Sequence, residues 1–136
     1  ATLIHDVDHT GCSNPQRGKE EPELAEKYHN RSTAEQNSVD LAWSLLMKYK
    51  NLQGCIWATP NELIRFRQLI VNLVMATDIF DKDLKATRNS RWDKIFHSDM
   101  EDSVESDEFR NLKAAIVIEH IVRDIFNPRF QNSFID

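Results

Sequence analysis

The first segment whose residues could do chemistry is Ile4-His5-Asp6-Val7-Asp8-His9. Read as helix, it places His5 and His9 on one face, four positions apart, with Asp6 beside them. Neutral imidazole and carboxylate form the ligand set of zinc, and carboxylate with water that of magnesium or manganese. A plain helix terminus with histidines near the negative end of its dipole uses the same residue types. Four ionisable groups in five residues, directly behind the apolar Leu3 and Ile4, tilt the reading toward metal, because burying them requires a compensating cation.

Two acids further along carry a similar argument. Asp78, in Val74-Met75-Ala76-Thr77-Asp78, lies one turn beyond Val74 on the face expected to enter the core. A carboxylate there needs a metal, a metal-bound water or an Arg or Lys, unless the helix end lets it reach solvent. Glu35 occupies the fourth position of Ser32-Thr33-Ala34-Glu35, a capping box, and that role is enough to account for it. A helix start is also where an acid can face the water shell of a metal.

The elements that must position these residues are helical. Gly and Pro number 7 of 136 residues, too few for a turn-rich sandwich, and no alternating strand pattern appears. The all-α chain is expected to begin with the end of a buried helix at 1–8, stopped at Gly11, followed by a loop over 12–20. Pro22 opens a short helix to Tyr28. A helix from Ser32 to about Lys48 carries Ala34, Leu41, Ala42, Leu45 and Leu46 at helical spacing. Thr59-Pro60-Asn61-Glu62 starts a helix of about twenty residues through Leu63, Phe66, Leu69, Ile70, Leu73 and Val74. The last long helix spans roughly Glu108 to Val122. The acidic run 98–108 lacks the glycine and ligand offsets of a calcium loop and reads as a solvated connection. No domain boundary is evident.

A net charge of −5 argues against a nucleic-acid partner held by bulk positive charge. No apolar run is long enough to span a membrane. Two cysteines form neither a disulfide framework nor a zinc-knuckle spacing and fit a reducing, cytoplasmic setting. The chain opens on Ala1-Thr2-Leu3-Ile4 without an initiator Met, which suggests a fragment.

Taken together, the motifs resemble a family. His5-Asp6-Val7-Asp8-His9-Thr10-Gly11 with Asn14 is similar to the HDxxHxGxxN signature of the class I 3′,5′-cyclic nucleotide phosphodiesterases. Ser32–Leu46 resembles their Ser-x-x-Glu-Asn-His-His helix, and Leu73–Lys82 their Ala-Thr-Asp-Met segment, all in the family's order. The local wording (AEQNS, RFRQ, ATDIFDK) is similar to phosphodiesterases of algae and other protists. The resemblance implies a partial all-helical catalytic domain of the HD type over 1–136, lacking the upstream His-Asn-x-x-His part and the C-terminal purine clamp. It implies two divalent ions, zinc with magnesium or manganese, held by His5, Asp6 and Asp124. His9 would touch the hydroxide network, Glu35 would steer metal-bound water, and Asp78 would lie on the pocket wall.

The substrate implied is cAMP or cGMP, the product a nucleoside 5′-monophosphate in signal transduction, and the parent carries fused regulatory or receptor segments. Departures are visible: Gln36-Asn37-Ser38 stands where Asn-His-His is expected, Thr10 replaces Pro or Arg, and Gln16 an apolar residue. Asp124-Ile125-Phe126-Asn127-Pro128 is similar in outline to the family's final-ligand segment, and also reads as a helix stop at Asn-Pro. Two alternatives stand beside this reading. One is another metal phosphohydrolase of the His-Asp superfamily, the other an inactive segment used for association. With neighbouring helices missing, apolar faces on 1–8 and 63–80 are expected to be uncovered.

Overall fold

A computed structural model of the protein describes residues 1, 3–97 and 106–126. Among them are seven helices and no strand: α1 Asn14–Glu20, α2 Pro22–Lys27, α3 Thr33–Leu46, α4 Lys50–Ile56, α5 Pro60–Met75, α6 Lys82–Phe96 and α7 Asp107–Ile125. The all-α expectation holds. The chain forms two compact units, Ala1–Asp78 and Ile79–Asp136. None of the described helices is long and apolar enough to cross a membrane.

In the first unit the N-terminal expectation is corrected. Residues 3–8 form successive turns rather than a helix end, with Val7 N–H on Ile4 O at 3.2 Å and His9 N–H on Asp6 O at 3.1 Å. Helix cannot continue because Asp8 is left-handed, at φ +60. Gly11 does take the left-handed conformation, at φ +80. The expected loop at 12–20 is largely α1: Pro15 sits in its first turn, where the missing N–H is no loss. α1 packs on α2 and α3, and α3 on α5.

Helix α3 starts and ends close to expectation but buries a different face. Leu41 and Leu45 are 43% and 55% exposed, whereas Thr33, Ala34, Asn37, Ser38 and Val39 are buried. Farther along, Trp43 stacks on Trp57 with centroids 6.0 Å apart, and Phe66 of α5 lies 5.6 Å from Trp57. The Arg67 guanidinium stands 5.4 Å over Trp43. Leu3 and Ile64 are exposed, as expected for uncovered apolar faces, while Leu73, Val74 and Ala76 are buried.

Helix α5 has the start that its sequence predicts. Thr59 Oγ1 accepts the Glu62 N–H at 3.3 Å, and Glu62 Oε2 accepts the N–H groups of Thr59 and Ala58 at 3.1 and 2.6 Å. It ends at Met75, shorter than the twenty residues expected.

The second unit pairs α6 with α7. The sequence reading did not foresee α6, whose apolar residues are sparse; Asp81 caps it, accepting the N–H groups of Asp83 and Leu84. Arg91 Nη1 donates to both oxygens of Glu119, at 3.2 and 3.0 Å, and Glu119 is 2% exposed. Trp92 stands 4.4 Å from Phe96 and 4.5 Å from His120 between ring centroids. The acidic run at 98–105 and the tail from Asn127 lie outside the described residues.

The α5 start yields a test. Thr59→Ala removes one half of the box and costs about 1 kcal/mol, read as a lower melting temperature at pH 7. Backbone N–H bonds from Ala58 and Thr59 hold the Glu62 carboxyl below its ordinary value. Its stabilising contribution is therefore present at neutral pH and fades as pH falls through the folded value. The melting gap between wild type and Glu62→Gln should narrow on acidification.

Candidate active site

Three sequence-distant segments meet in the first unit. Asn14, at the start of α1, is where they join. Its Oδ1 accepts the Ala34 N–H at 2.8 Å, so it caps α3 from a distance. Its Nδ2 donates to Glu35 Oε2 at 2.9 Å and to Asp78 Oδ2 at 3.3 Å. Asp78, just past the end of α5, is 6% exposed and also accepts from Ser32 Oγ at 2.7 Å. A hydroxyl and an amide thus grip the carboxylate that was expected to need a cation or solvent.

These bonds correct the expected capping box at Ser32-Thr33-Ala34-Glu35. Ser32 is left-handed, at φ +39, and its side chain caps nothing on α3. Its hydroxyl goes to Asp78 and the Glu35 carboxylate goes to Asn14. Burial pushes the Glu35 carboxyl above its ordinary value, against the bond from Asn14 and a backbone N–H; the nearby Asp78 charge adds to the rise and His9 opposes it.

The 5–9 turn lies against the same helix. Ser38 Oγ donates to Val7 O at 2.7 Å and Asn37 Nδ2 to Asp8 Oδ2 at 2.8 Å. The two positions where the resembling family has histidines therefore serve here as buried ties between α3 and the turn. Arg17, buried in α1, donates to Asp8 O at 2.9 Å and Asp8 Oδ2 at 3.0 Å. His9 Nδ1 accepts the Gly11 N–H at 3.0 Å, which puts the proton of the neutral ring on Nε2.

His5 Nε2 lies 2.8 Å from Asp6 Oδ2. The imidazole nitrogen and the carboxylate oxygen converge on one point, as two donors to one ion would after loss of the shared proton. Two donors fall short of the four that zinc takes. Among the described residues no group of three or more His, Cys, Asp or Glu side chains could hold an ion. Asp124 belongs to the second unit, where its Oδ1 accepts from Arg123 Nε at 2.8 Å and Nη2 at 2.6 Å.

Sequence reasoning thus found His9, Glu35 and Asp78 as residues of note, and the bonds tie Glu35 to Asp78 through Asn14. It gave no role to Asn14, though Asn14 stood in the quoted signature. It missed Arg17 altogether, because a cation in a stretch read as loop carries no pattern.

The fold is shared with the phosphodiesterase domain of a RhoPDE fusion protein from the choanoflagellate Salpingoeca rosetta, with a TM-score of 0.62 and 24% identity. The match covers 90% of this chain and 36% of that one. A curated relative, the probable 3′,5′-cyclic-AMP phosphodiesterase pde-4 of Caenorhabditis elegans, is 32% identical over 79 residues, 58% of this chain and 12% of the relative. The human dual specificity calcium/calmodulin-dependent 3′,5′-cyclic nucleotide phosphodiesterase 1B is 32% identical over 79 residues, 58% of this chain and 15% of the relative. The family model for 3′5′-cyclic nucleotide phosphodiesterase matches residues 1–123, and the chain belongs to that family. The chain spans less than a sixth of the length of these two curated relatives.

Two outcomes follow. Asn14→Ala orphans the Ala34 N–H and removes the amide shared by two carboxylates, and should cost about 1–3 kcal/mol in urea denaturation at pH 7. For Glu35 the folded protein holds its proton more tightly than the unfolded chain, so stability declines as pH rises from the ordinary carboxyl range through the folded value. Glu35→Gln escapes that loss. It should denature at higher urea than wild type near pH 8, with the gap closing near pH 4.

Proposed function

We propose that this chain supplies the central part of a catalytic domain that hydrolyses 3′,5′-cyclic nucleotides, cAMP or cGMP, to nucleoside 5′-monophosphates. The observation that carries the reading is the meeting of its three motif segments: the 5–14 stretch, the start of α3 and Asp78, joined through Asn14, Ser38 and Asn37. The side-chain amide of Asn14 reaches carboxylates 21 and 64 positions further along the chain, which a chance likeness of short motifs would not arrange. Membership of the phosphodiesterase family supports the same reading over the other His-Asp phosphohydrolases.

Two divalent ions, zinc with magnesium or manganese, supply Lewis-acid activation of the attacking water and clamping of the phosphate in this reading. His5 and Asp6 are this chain's share of the donors. His9, with Nε2 carrying a proton and its ring exposed, can hand a proton to or take one from the hydroxide network. Glu35 is placed to orient water by accepting from it, and its buried carboxyl ionises more readily beside a cation. Asp78, fixed by Ser32 and Asn14, shapes the wall. A cytoplasmic location and attachment to regulatory or receptor segments belong to the same proposal, supported by the family resemblance.

The test uses the full-length protein that contains this chain. Purified with Zn²⁺ and Mg²⁺, it should convert cAMP or cGMP to the 5′-monophosphate. Asp6→Ala should lower kcat/KM by at least about 100-fold, with the circular dichroism of the folded protein retained. Hydrolysis that is absent in wild type, or equal in Asp6→Ala, overturns the reading.

A further inference from the structure

Arg17 is the largest fully buried side chain among the described residues, and the proposed reaction does not use it. It is 1% exposed, and its Nε has no hydrogen-bond partner among the described residues. A guanidinium is costly to bury, and leaving one donor unsatisfied adds to that cost. An apolar side chain would fill the same space between α1 and its neighbours without either penalty. What the cation does make is specific. Nη1 donates to the main-chain carbonyl of Asp8 at 2.9 Å, and Nη2 donates to the carboxylate of the same residue at 3.0 Å. Glu21 Oε2 lies 3.4 Å from Nη2.

Asp8 is an unusual residue to grip in this way. It is left-handed at φ +60, a conformation uncommon for residues with a Cβ though better tolerated by Asp than by most, and the bonds to it fix that choice. A planar fork that takes both the backbone oxygen and the side-chain oxygen of one residue fixes that residue's main chain and side chain together. Asn37 holds the same carboxylate from α3 at 2.8 Å. Asp8 stands between Asp6, whose carbonyl accepts the His9 N–H, and His9 itself. Its conformation therefore sets how the His5–Asp6 pair and the His9 ring are presented relative to each other.

We propose that Arg17 is a positioning residue: through the main-chain and carboxylate oxygens of Asp8, it holds the 5–9 turn in the conformation that carries the His5–Asp6 pair on one side of Asp8 and His9 on the other. The proposal rests on the reading of that turn as the ion-holding part of the site.

Arg17→Lys is the diagnostic substitution, because it keeps the buried charge and loses the fork. The full-length protein is followed by amide hydrogen exchange, with peptides spanning 5–11 compared with peptides of α5, and by Mn²⁺ binding read from the free-ion electron spin resonance signal. The expected result is exchange at least about tenfold faster in 5–11 with α5 unchanged, and Mn²⁺ affinity at least about tenfold weaker. Asp8→Ala, which has no side-chain oxygen and tolerates the left-handed conformation poorly, should reproduce both effects and decides the matter if Arg17→Lys does not fold. Exchange in 5–11 at the wild-type rate in the folded variant overturns the proposal, whatever the Mn²⁺ result. Faster exchange with unchanged Mn²⁺ affinity in a wild-type protein that binds the ion also overturns it, since the grip would then be structural only. If wild type binds no Mn²⁺ and Asp6→Ala changes nothing, the ion-holding reading fails, and the exchange rates alone judge whether Arg17 sets the turn.

Discussion

Two buried carboxylates drawing on one amide is the constraint around which the first unit is arranged. Glu35 and Asp78 carry like charge in a poorly solvated place, and Asn14 Nδ2 lies within reach of both. Left alone, such a pair would separate, swell toward water or take up a proton. Ser32 relieves it by giving its hydroxyl to Asp78, at the expense of an ordinary start to α3. Asn14 then has to supply the cap that Ser32 abandons, through its Oδ1 and the Ala34 N–H. A conflict over charge thus settles the backbone at two helix starts.

That chain of substitutions also marks the limit of what the residues disclosed beforehand. Thr59-Pro60-Asn61-Glu62 and Ser32-Thr33-Ala34-Glu35 carry the same local signal, and only the first forms the box. The difference lies in Asn14 and Asp78, which arrive from outside any window that spacing can survey. The scarcity of Gly and Pro was enough for the all-α class. Where the two do crowd together, at 12–20, they point to a loop, yet Pro15 sits in the first turn of a helix rather than preventing one. The expected helix end over 1–8, stopped at Gly11, gives way to turns because Asp8 is already left-handed, with Arg17 and Asn37 bonded to it. α6 carries no evident stripe of apolar residues, and its bonds to α7 include an ion pair, half-buried Arg91 with buried Glu119.

The motif residues divide by the kind of support they receive. Asp8, Asn14 and Asp78 are each held by more than one side-chain bond. His5 pairs with Asp6, whose side chain is exposed. Leu41, Leu45 and Ile64 on α3 and α5 are exposed as well.

The reach of the Ser32 bond has a consequence for birth on the ribosome. Synthesis runs from the amino end, and Asp78 is added 46 residues after Ser32. At ordinary elongation speeds that is a delay of roughly 2–9 s, during which Ser32 has no Asp78 to receive its hydroxyl. Through that interval the nascent α3 is free to adopt the everyday cap written in its own sequence, and the arrival of α5 must undo it.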